Sequence, residues 1–239
     1  TCAVTLSLLA APFAGQAQEA GKMTRVGFLR WGAAGAEVEA FRQGLRELGY
    51  VEGKTVAIEY RNAEGRSERL PALVAELIRI QVDVIVAFTT PATRAAQQAT
   101  TTIPIVTISA DPVGTGLVAS LARPQGNTTG LSLVGPDVDG KTLGLLKEAF
   151  PRLRRVAFVW DPANPALVLR FQAVEAGTRS LGLQLDSVVV RAPGELENAL
   201  ESAIRRRADA LCVPTAIASA YRRQIVDFAA RKRWPAIYP

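Results

Sequence analysis

Residues 82–132 contain two short apolar runs, Val82–Ala87 and Ile103–Ile108, separated by a segment with the composition of a helix. Both runs are rich in β-branched residues. Two such runs joined by a helical crossover predict parallel strands that are buried on both faces. Parallel strands end at the same edge of a sheet, and open α/β sheets bind their ligands at that edge. The turns that follow the two runs therefore predict a binding site.

Each of these turns places a polar residue before a proline, in Thr90-Pro91 after the first strand and in Asp111-Pro112 after the second. Such a pair is typical of a helix N-terminus, so a helix is predicted after each turn. Free backbone N–H groups and hydroxyls there, including the hydroxyl of Thr89, suit a carboxylate or another small anion. The alternative is that the threonine and the aspartate only cap their helices.

The same alternation of strands and helices occurs before and after this region. The remaining predicted strands are Arg25–Leu29, Thr55–Tyr60, Asn127–Leu133, Val156–Trp160, Leu185–Val190, Ala210–Val213 and Ala236–Tyr238. Residues 134–140, where glycine and proline stand among acidic residues, interrupt the pattern and predict a hinge or crossover. The predicted fold class is therefore α/β, with two doubly wound parallel-sheet lobes, residues 25–133 and 141–239, joined by a hinge.

Strand ends in the second lobe repeat the polar chemistry of the first. Asn164-Pro165 is another pair of a capping residue and a proline, and Thr215 follows the next strand. Two sheets that face each other across a hinge would bring these residues into one cleft with the turns of the first lobe.

Trp31, Trp160 and Tyr238 are aromatic residues that also stand at strand ends or in the loops after them. They are candidates to surround the apolar part of a ligand. The alternative for each is ordinary core packing, although the Gly/Ala-rich loop around Trp31 offers few places to bury its ring.

Composition excludes several function classes. The chain contains no histidine, which removes histidine-based catalysis and most zinc sites. Neither a G-x-G-x-x-G nor a P-loop nor a G-x-S-x-G motif is present, so we expect neither an enzyme nor a cofactor. The net charge of +6 comes from arginine clusters at predicted helix ends, without a groove-entering element, so no nucleic-acid partner is expected.

Residues 1–17 are interpreted as the remnant of a signal peptide. Ala3–Ala14 is apolar and uncharged, is too short to span a bilayer, and is followed by small residues just before Gln18. A buried helix is the alternative. We expect the mature protein to be exported and periplasmic.

Four stretches carry a resemblance to a known family: TPATRAAQQAT (90–100), IPIVTISADPVGTGLV (103–118), LARPQGNTTGLS (121–132) and LLKEAFPRLRRVAFVWDPANP (145–165). In these stretches, and over nearly all of residues 25–239, the chain resembles the tryptophan/tyrosine-type substrate-binding proteins of ABC transporters. Gln125 departs from the pattern, because the family usually has a glycine there. The resemblance implies a type I periplasmic-binding-protein fold that captures a small ligand between its lobes. It also implies delivery to an ABC permease in the membrane, driven by a separate ATPase. Members of the family continue beyond Pro239, so we expect the chain to be incomplete at its C-terminus.

The leading hypothesis is therefore a solute-binding protein for an amino acid, aromatic or otherwise, or for a related carboxylate. The ligand carboxylate would bind at Thr89, Thr90 and the helix N-terminus at Pro91, and Asp111 would meet an ammonium group. Asn164 and Thr215 would be contacts from the second lobe. The alternative is a ligand-sensing domain of a signalling or regulatory protein with the same bilobal fold. As a transcription regulator it would need a DNA-binding module ahead of Arg25, where the signal peptide is predicted.

Overall fold

The computed structural model describes residues 23–32, 35–133, 135 and 137–238. The predicted signal-peptide remnant, residues 1–17, lies outside the described residues. The first sheet has five parallel strands in the order β2-β1-β3-β4-β5. Its strands are β1 (Thr24–Arg30), β2 (Val56–Asn62), β3 (Val84–Phe88), β4 (Ile105–Ala110) and β5 (Thr128–Leu133). The helices between them are α1 (Ala36–Glu47), α2 (Leu70–Arg79) and α3 (Thr90–Ala99).

The second sheet has four parallel strands in the order β7-β6-β8-β9. Its strands are β6 (Arg155–Trp160), β7 (Gln184–Val189), β8 (Ala210–Cys212) and β9 (Ala236–Ile237). The helices of this half are α4 (Asp137–Ala149), α5 (Pro165–Ser180), α6 (Leu196–Arg205) and α7 (Thr215–Lys232). The predicted α/β class with two parallel-sheet lobes is confirmed.

Strand β3 shows why the sequence forms a sheet of this kind. Ile85, Val86 and Ala87 are all nearly inaccessible to solvent, and Ile85 pairs in parallel with Ile105 of β4. A strand covered on both faces reads as a continuous apolar run, which is the pattern in the sequence. In each sheet the chain order reverses once, between β1 and β3 and between β6 and β8, and the carboxyl ends of the strands form a crevice there.

One predicted helix is wrong: residues 112–116 after β4 form turns instead. The N–H of Thr115 donates to the carbonyl of Asp111 at 3.0 Å, and the N–H of Leu117 donates to the carbonyl of Pro112 at 2.8 Å. Gly116 then adopts a φ of 71°, a left-handed conformation that ends helical growth after a single turn. Asp111 and Pro112 begin a helical turn, but the glycines that follow them disfavour its extension into a helix.

Helix α4 begins at Asp137, inside the segment 134–140 that was predicted as a hinge. Val134 and Pro136 of that segment lie outside the described residues. Helix α4 packs along α5, where a Cβ added to Gly177 would lie 3.1 Å from the side chain of Leu143.

Among the helices of the described ranges, none combines the length and the apolar character that a transmembrane span requires.

The two lobes are in direct contact. The indole of Trp31, which follows β1, meets the ring of Tyr221 on α7 edge-on, with 6.4 Å between centroids. Beside it, a Cβ added to Gly32 would lie 2.9 Å from the Cβ of Ala220. The backbone of the first lobe approaches α7 so closely here that only glycine fits without a shift. The two lobes are therefore packed directly against each other at this point.

Candidate functional site

A small cavity lies between the lobes at the carboxyl ends of the strands of the first sheet. Its residues from the first lobe are Phe88, Thr89, Thr90, Ser109, Ala110 and Leu133. Its residues from the second lobe are Asn164, Ala166, Leu167, Arg170, Thr215, Ala216 and Ser219. The cavity volume is about 40 Å³, room for roughly two or three water molecules. A molecule as large as an amino acid requires the lobes to move apart.

Two hydroxyls in the wall of this cavity are buried without a partner. The Oγ1 atoms of Thr89 and Thr90 are both inaccessible to solvent and make no hydrogen bond within the described part of the chain. A buried hydroxyl without a partner costs about 1–3 kcal/mol. Two adjacent ones in a cavity wall therefore indicate a place where a polar ligand supplies the missing bonds.

The backbone at Thr89 holds these hydroxyls in place. Its φ of 94° lies in a region that β-branched residues rarely adopt. The Thr89 N–H donates to the carbonyl of Ile108 at 2.8 Å, which ties the turn to β4. Helix α3 then begins at Thr90, with Pro91 in its first turn. Strain of this kind persists where the surrounding structure enforces it, commonly at binding sites.

Three helices begin at the cavity. Thr90 starts α3, the first turn of α5 contributes Ala166, and Thr215 starts α7. Asn164 caps α5, because its Oδ1 accepts the N–H of Ala166 at 3.1 Å. The N-terminus of a helix carries partial positive charge and free N–H groups. Their convergence favours an anionic group in the cavity.

Arg170 on α5 is the one charged residue among the described residues that line the cavity. Its guanidinium is paired with the carboxylate of Asp139 on α4, and both residues are buried. Burial raises the pKa of Asp139, and the Arg170 guanidinium opposes part of that rise.

In the ranges that the structure describes, no group of three or more His, Cys, Asp or Glu could hold a metal ion.

Four predicted site residues line the cavity: Thr89, Thr90, Asn164 and Thr215. Pro91 is buried in the first turn of α3 behind the cavity wall. The predicted capping by Thr90 does not occur, since α3 has no side-chain cap and Thr90 is its first residue. Strand ends from both lobes therefore line one cavity. This is the arrangement that the pattern of two sheets predicts.

Trp31 and Trp160 were candidates to surround the ligand, but neither of them lines the cavity. The Trp31 Nε1 donates to Ser67 Oγ at 2.8 Å, and its ring is almost fully buried against the second lobe. Trp160 stacks on Phe171 of α5 with 4.3 Å between centroids, and its Nε1 donates to Ser187 Oγ at 2.8 Å. Both indoles therefore pack and form hydrogen bonds outside the cavity. This is the alternative of ordinary core packing that the sequence left open.

Asp111 and Tyr238 also lie elsewhere. The Oδ1 of Asp111 accepts the N–H of Gly114 at 2.9 Å, so this carboxylate closes its own turn and does not enter the cavity. Tyr238 borders a neighbouring groove whose lining shares Thr215 with the cavity and includes Glu37. Burial raises the pKa of Tyr238. Tyr238 therefore lies next to the cavity without lining it.

Several lining residues were not anticipated from the sequence, among them Phe88, Ser109, Leu133 and Arg170. Phe88 and Ser109 directly follow predicted strands and Leu133 is the last residue of one, so the strand-end rule could have included them. Arg170 lies within a helix, and no sequence signal shows which way its side chain points. Only the packing of the folded chain shows that Arg170 lines the cavity.

Tyr221, at the contact between the lobes, has a buried hydroxyl without a partner among the described residues. Burial, together with the negative charges of Asp161 and Glu195, raises its pKa to about 12. We expect Tyr221→Phe to stabilise the protein by about 1 kcal/mol, because it removes an unpaired hydroxyl and keeps the ring against Trp31. Urea denaturation measures the change. A loss of stability of more than about 1 kcal/mol would show that the hydroxyl has a partner in solution.

Two α/β lobes, each built on a parallel sheet, that enclose a cavity between them define the class of bilobal ligand-binding proteins. The sequence profile described as ABC transporter substrate binding protein matches residues 27–239. The chain belongs to this family, which is one of solute-binding proteins and not of enzymes.

The chain is also similar to an individual protein. The chain is 28% identical over 178 residues, 74% of its length, to a tyrosine-binding protein of Clostridioides difficile strain R20291. It spans about half the length of that curated relative, 51%.

Solved structures are also similar. One is a conserved domain protein of Vibrio cholerae O1 biovar El Tor, with 27% identity and a TM-score of 0.78. Another is the ABC domain in complex with L-Trp from Streptococcus pneumonia, with 22% identity and a TM-score of 0.77. Each match covers 90% of this chain and 73% of the other. At 22% identity, the second likeness shows the shared fold.

Proposed function

We propose that the protein captures a small carboxylate-bearing ligand, an amino acid or a related acid, in the cavity between its lobes. It delivers this ligand to the permease of an ABC transporter and works outside the cytoplasm. Family membership supports the transport role. The tyrosine-binding protein, as the curated relative is called, makes aromatic amino acids the first ligands to test.

The observation that carries this proposal is the pair of unpartnered hydroxyls of Thr89 and Thr90 in the cavity wall. A carboxylate accepts hydrogen bonds from hydroxyls and from N–H groups at helix N-termini, and both kinds of donor converge there. Phe88, Leu133 and Leu167 supply apolar lining for the rest of the ligand. We also propose that residues 134–140 act as the hinge between lobes 25–133 and 141–239, which admits the ligand.

A thermal-shift screen against the twenty amino acids and simple carboxylates tests the proposal. A ligand at 100 times its dissociation constant stabilises the folded protein by about 2.7 kcal/mol, a shift that is easily measured. A shift with tryptophan, tyrosine or phenylalanine supports aromatic uptake. A shift only with other carboxylates keeps the binding function and discards the aromatic ligand. The absence of any shift contradicts the proposal.

Replacing Thr90 by valine tests the role of the hydroxyl without changing the volume of the side chain. We expect affinity for the acid found in the screen to fall about tenfold or more, because a hydrogen bond to a charged group contributes about 1.5–3 kcal/mol. The unliganded protein should lose no stability, since the hydroxyl has no partner there to lose. Isothermal titration calorimetry and urea denaturation measure the two quantities.

Thr178→Val is the matched control for this variant. The Thr178 hydroxyl is in α5 and donates to the carbonyl of Glu175 at 2.9 Å, away from the cavity lining. Valine there should cost about 1 kcal/mol of stability and leave ligand affinity unchanged. The opposite pattern, with affinity kept in Thr90→Val, contradicts a carboxylate contact at Thr90.

A further inference from the structure

Arg170 combines three features that together suggest a specific role. It is 8% exposed, it lines the cavity, and it belongs to the second lobe, across from the hydroxyls of Thr89 and Thr90. A guanidinium is always charged at accessible pH and presents five N–H donors in a rigid plane. A cation of this kind in a buried cavity wall needs a partner for each edge that it presents.

Asp139 satisfies one edge of this guanidinium. The Arg170 Nε donates to Asp139 Oδ2 at 3.0 Å, and Nη2 donates to Oδ1. Asp139 is itself 1% exposed and lies in the first turn of α4, so the pair is held between two packed helices. Side-on pairing of this kind fixes the plane of the guanidinium.

The third nitrogen, Nη1, makes no hydrogen bond to any residue that the structure describes. Nη1 is not fully buried and retains some access to solvent. Because Arg170 lines the cavity and its other two nitrogens are engaged, Nη1 is the donor available to a molecule bound there.

We propose that Arg170 is the charged donor that binds the carboxylate of the ligand through Nη1, and that Asp139 is the positioning residue that aims it. This inference rests on the proposed function and names the specificity determinant of its site. The carboxylate would bridge the Thr89 and Thr90 hydroxyls of one lobe and the guanidinium of the other. Recognition of the charge is thereby coupled to closure. The Arg170 N–H donor and the helix N-termini favour a negatively charged acceptor, so the site should select an amino acid over its amide, which lacks the carboxylate charge.

The test compares each acid with its primary amide, using L-tyrosine and L-tyrosinamide, L-tryptophan and L-tryptophanamide, and L-leucine and L-leucinamide. The amide keeps the size and the amine of the acid but lacks the negative charge. We expect the wild-type protein to bind the acid at least tenfold more tightly, measured by calorimetry. The variant Asp139→Leu/Arg170→Met removes the whole pair without leaving a buried charge, and its preference for the acid should fall at least tenfold.

Two further variants make the result specific. Asp139→Asn keeps the arginine but loosens its orientation, so the preference for the acid should fall, although less than in the double variant. A purely structural role for Asp139 would lower stability and leave this ratio unchanged. Arg179→Met, on the exposed face of the same helix, should leave the ratio at the wild-type value.

Outcomes separate this inference from the proposed function. If the wild type binds an acid but the double variant keeps the full preference for it over the amide, the role of Arg170 is overturned and the proposed function stands. If only Asp139→Asn keeps the full preference, the positioning role of Asp139 is overturned. If the wild type binds neither these acids nor any other acid of the thermal-shift screen, the proposed function fails, and this inference fails with it.

Discussion

Replacing Arg170 alone by methionine is expected to lower the free energy of unfolding by about 3–5 kcal/mol, because it leaves the Asp139 carboxylate buried without its partner. Asp139 is 1% exposed, and both of its oxygens accept bonds from Arg170. An uncompensated charge in such a place is among the most destabilising changes that a single substitution produces. Urea denaturation at pH 7 measures the loss.

The loss should depend on pH, and its sign follows from the pKa of Asp139. Burial raises this pKa above its ordinary value, while Arg170 opposes part of the rise. Removing the guanidinium lets the pKa rise further. A carboxyl whose pKa is higher in the folded state binds its proton more tightly when folded, so stability falls as pH rises from the unfolded pKa through the folded pKa. The variant should therefore recover part of its deficit relative to wild type as pH falls from 7 towards 5.

The double variant Asp139→Leu/Arg170→Met is the control for this prediction. Replacing a buried ion pair by apolar residues is often neutral or stabilising, so it should restore most of the lost stability and remove the pH dependence of the deficit. An equal deficit of Arg170→Met at pH 7 and pH 5 would contradict the assignment of the loss to an ionised Asp139.

The strands were predictable from the sequence because a parallel strand covered on both faces must be a continuous apolar run. Val84–Phe88 is a clear case, and the strand-end rule then identified Thr89, Thr90, Asn164 and Thr215 as cavity residues. These positions follow from topology, since the carboxyl ends of parallel strands lie together whatever the side chains do.

What the sequence could not reveal are features decided by packing between distant segments. Trp31 was expected to face a ligand because its own loop cannot bury it, but α7 of the other lobe does so. Arg170 was missed because the face that a helix residue presents is known only once its neighbours α4 and the cavity are in place. Trp160 was ambiguous, and stacking on Phe171 decided it.

The second large effect concerns Gly130 in the edge strand β5, which pairs with Thr107 of β4. Its φ is 150°, and a Cβ there would lie 1.9 Å from the carbonyl oxygen of Thr107 and 2.7 Å from its nitrogen. These are backbone atoms of a paired strand, so they cannot move without opening the β4–β5 ladder. The sequence showed this strand as punctuated by glycine, and the structure supplies the reason.

Gly130→Ala is therefore expected to destabilise the protein by about 3 kcal/mol or more, from backbone strain and overpacking together. Affinity for the ligand should fall as well, because Leu133 of the same strand lines the cavity. Gly126→Ala is the matched control: its φ of 63° is also positive, but nothing lies within 4 Å of the added Cβ. That variant should lose only about 1 kcal/mol, since a left-handed alanine costs roughly that much. Urea denaturation of both variants measures the difference, and equal losses would mean that the clash with Thr107 is relieved at no cost.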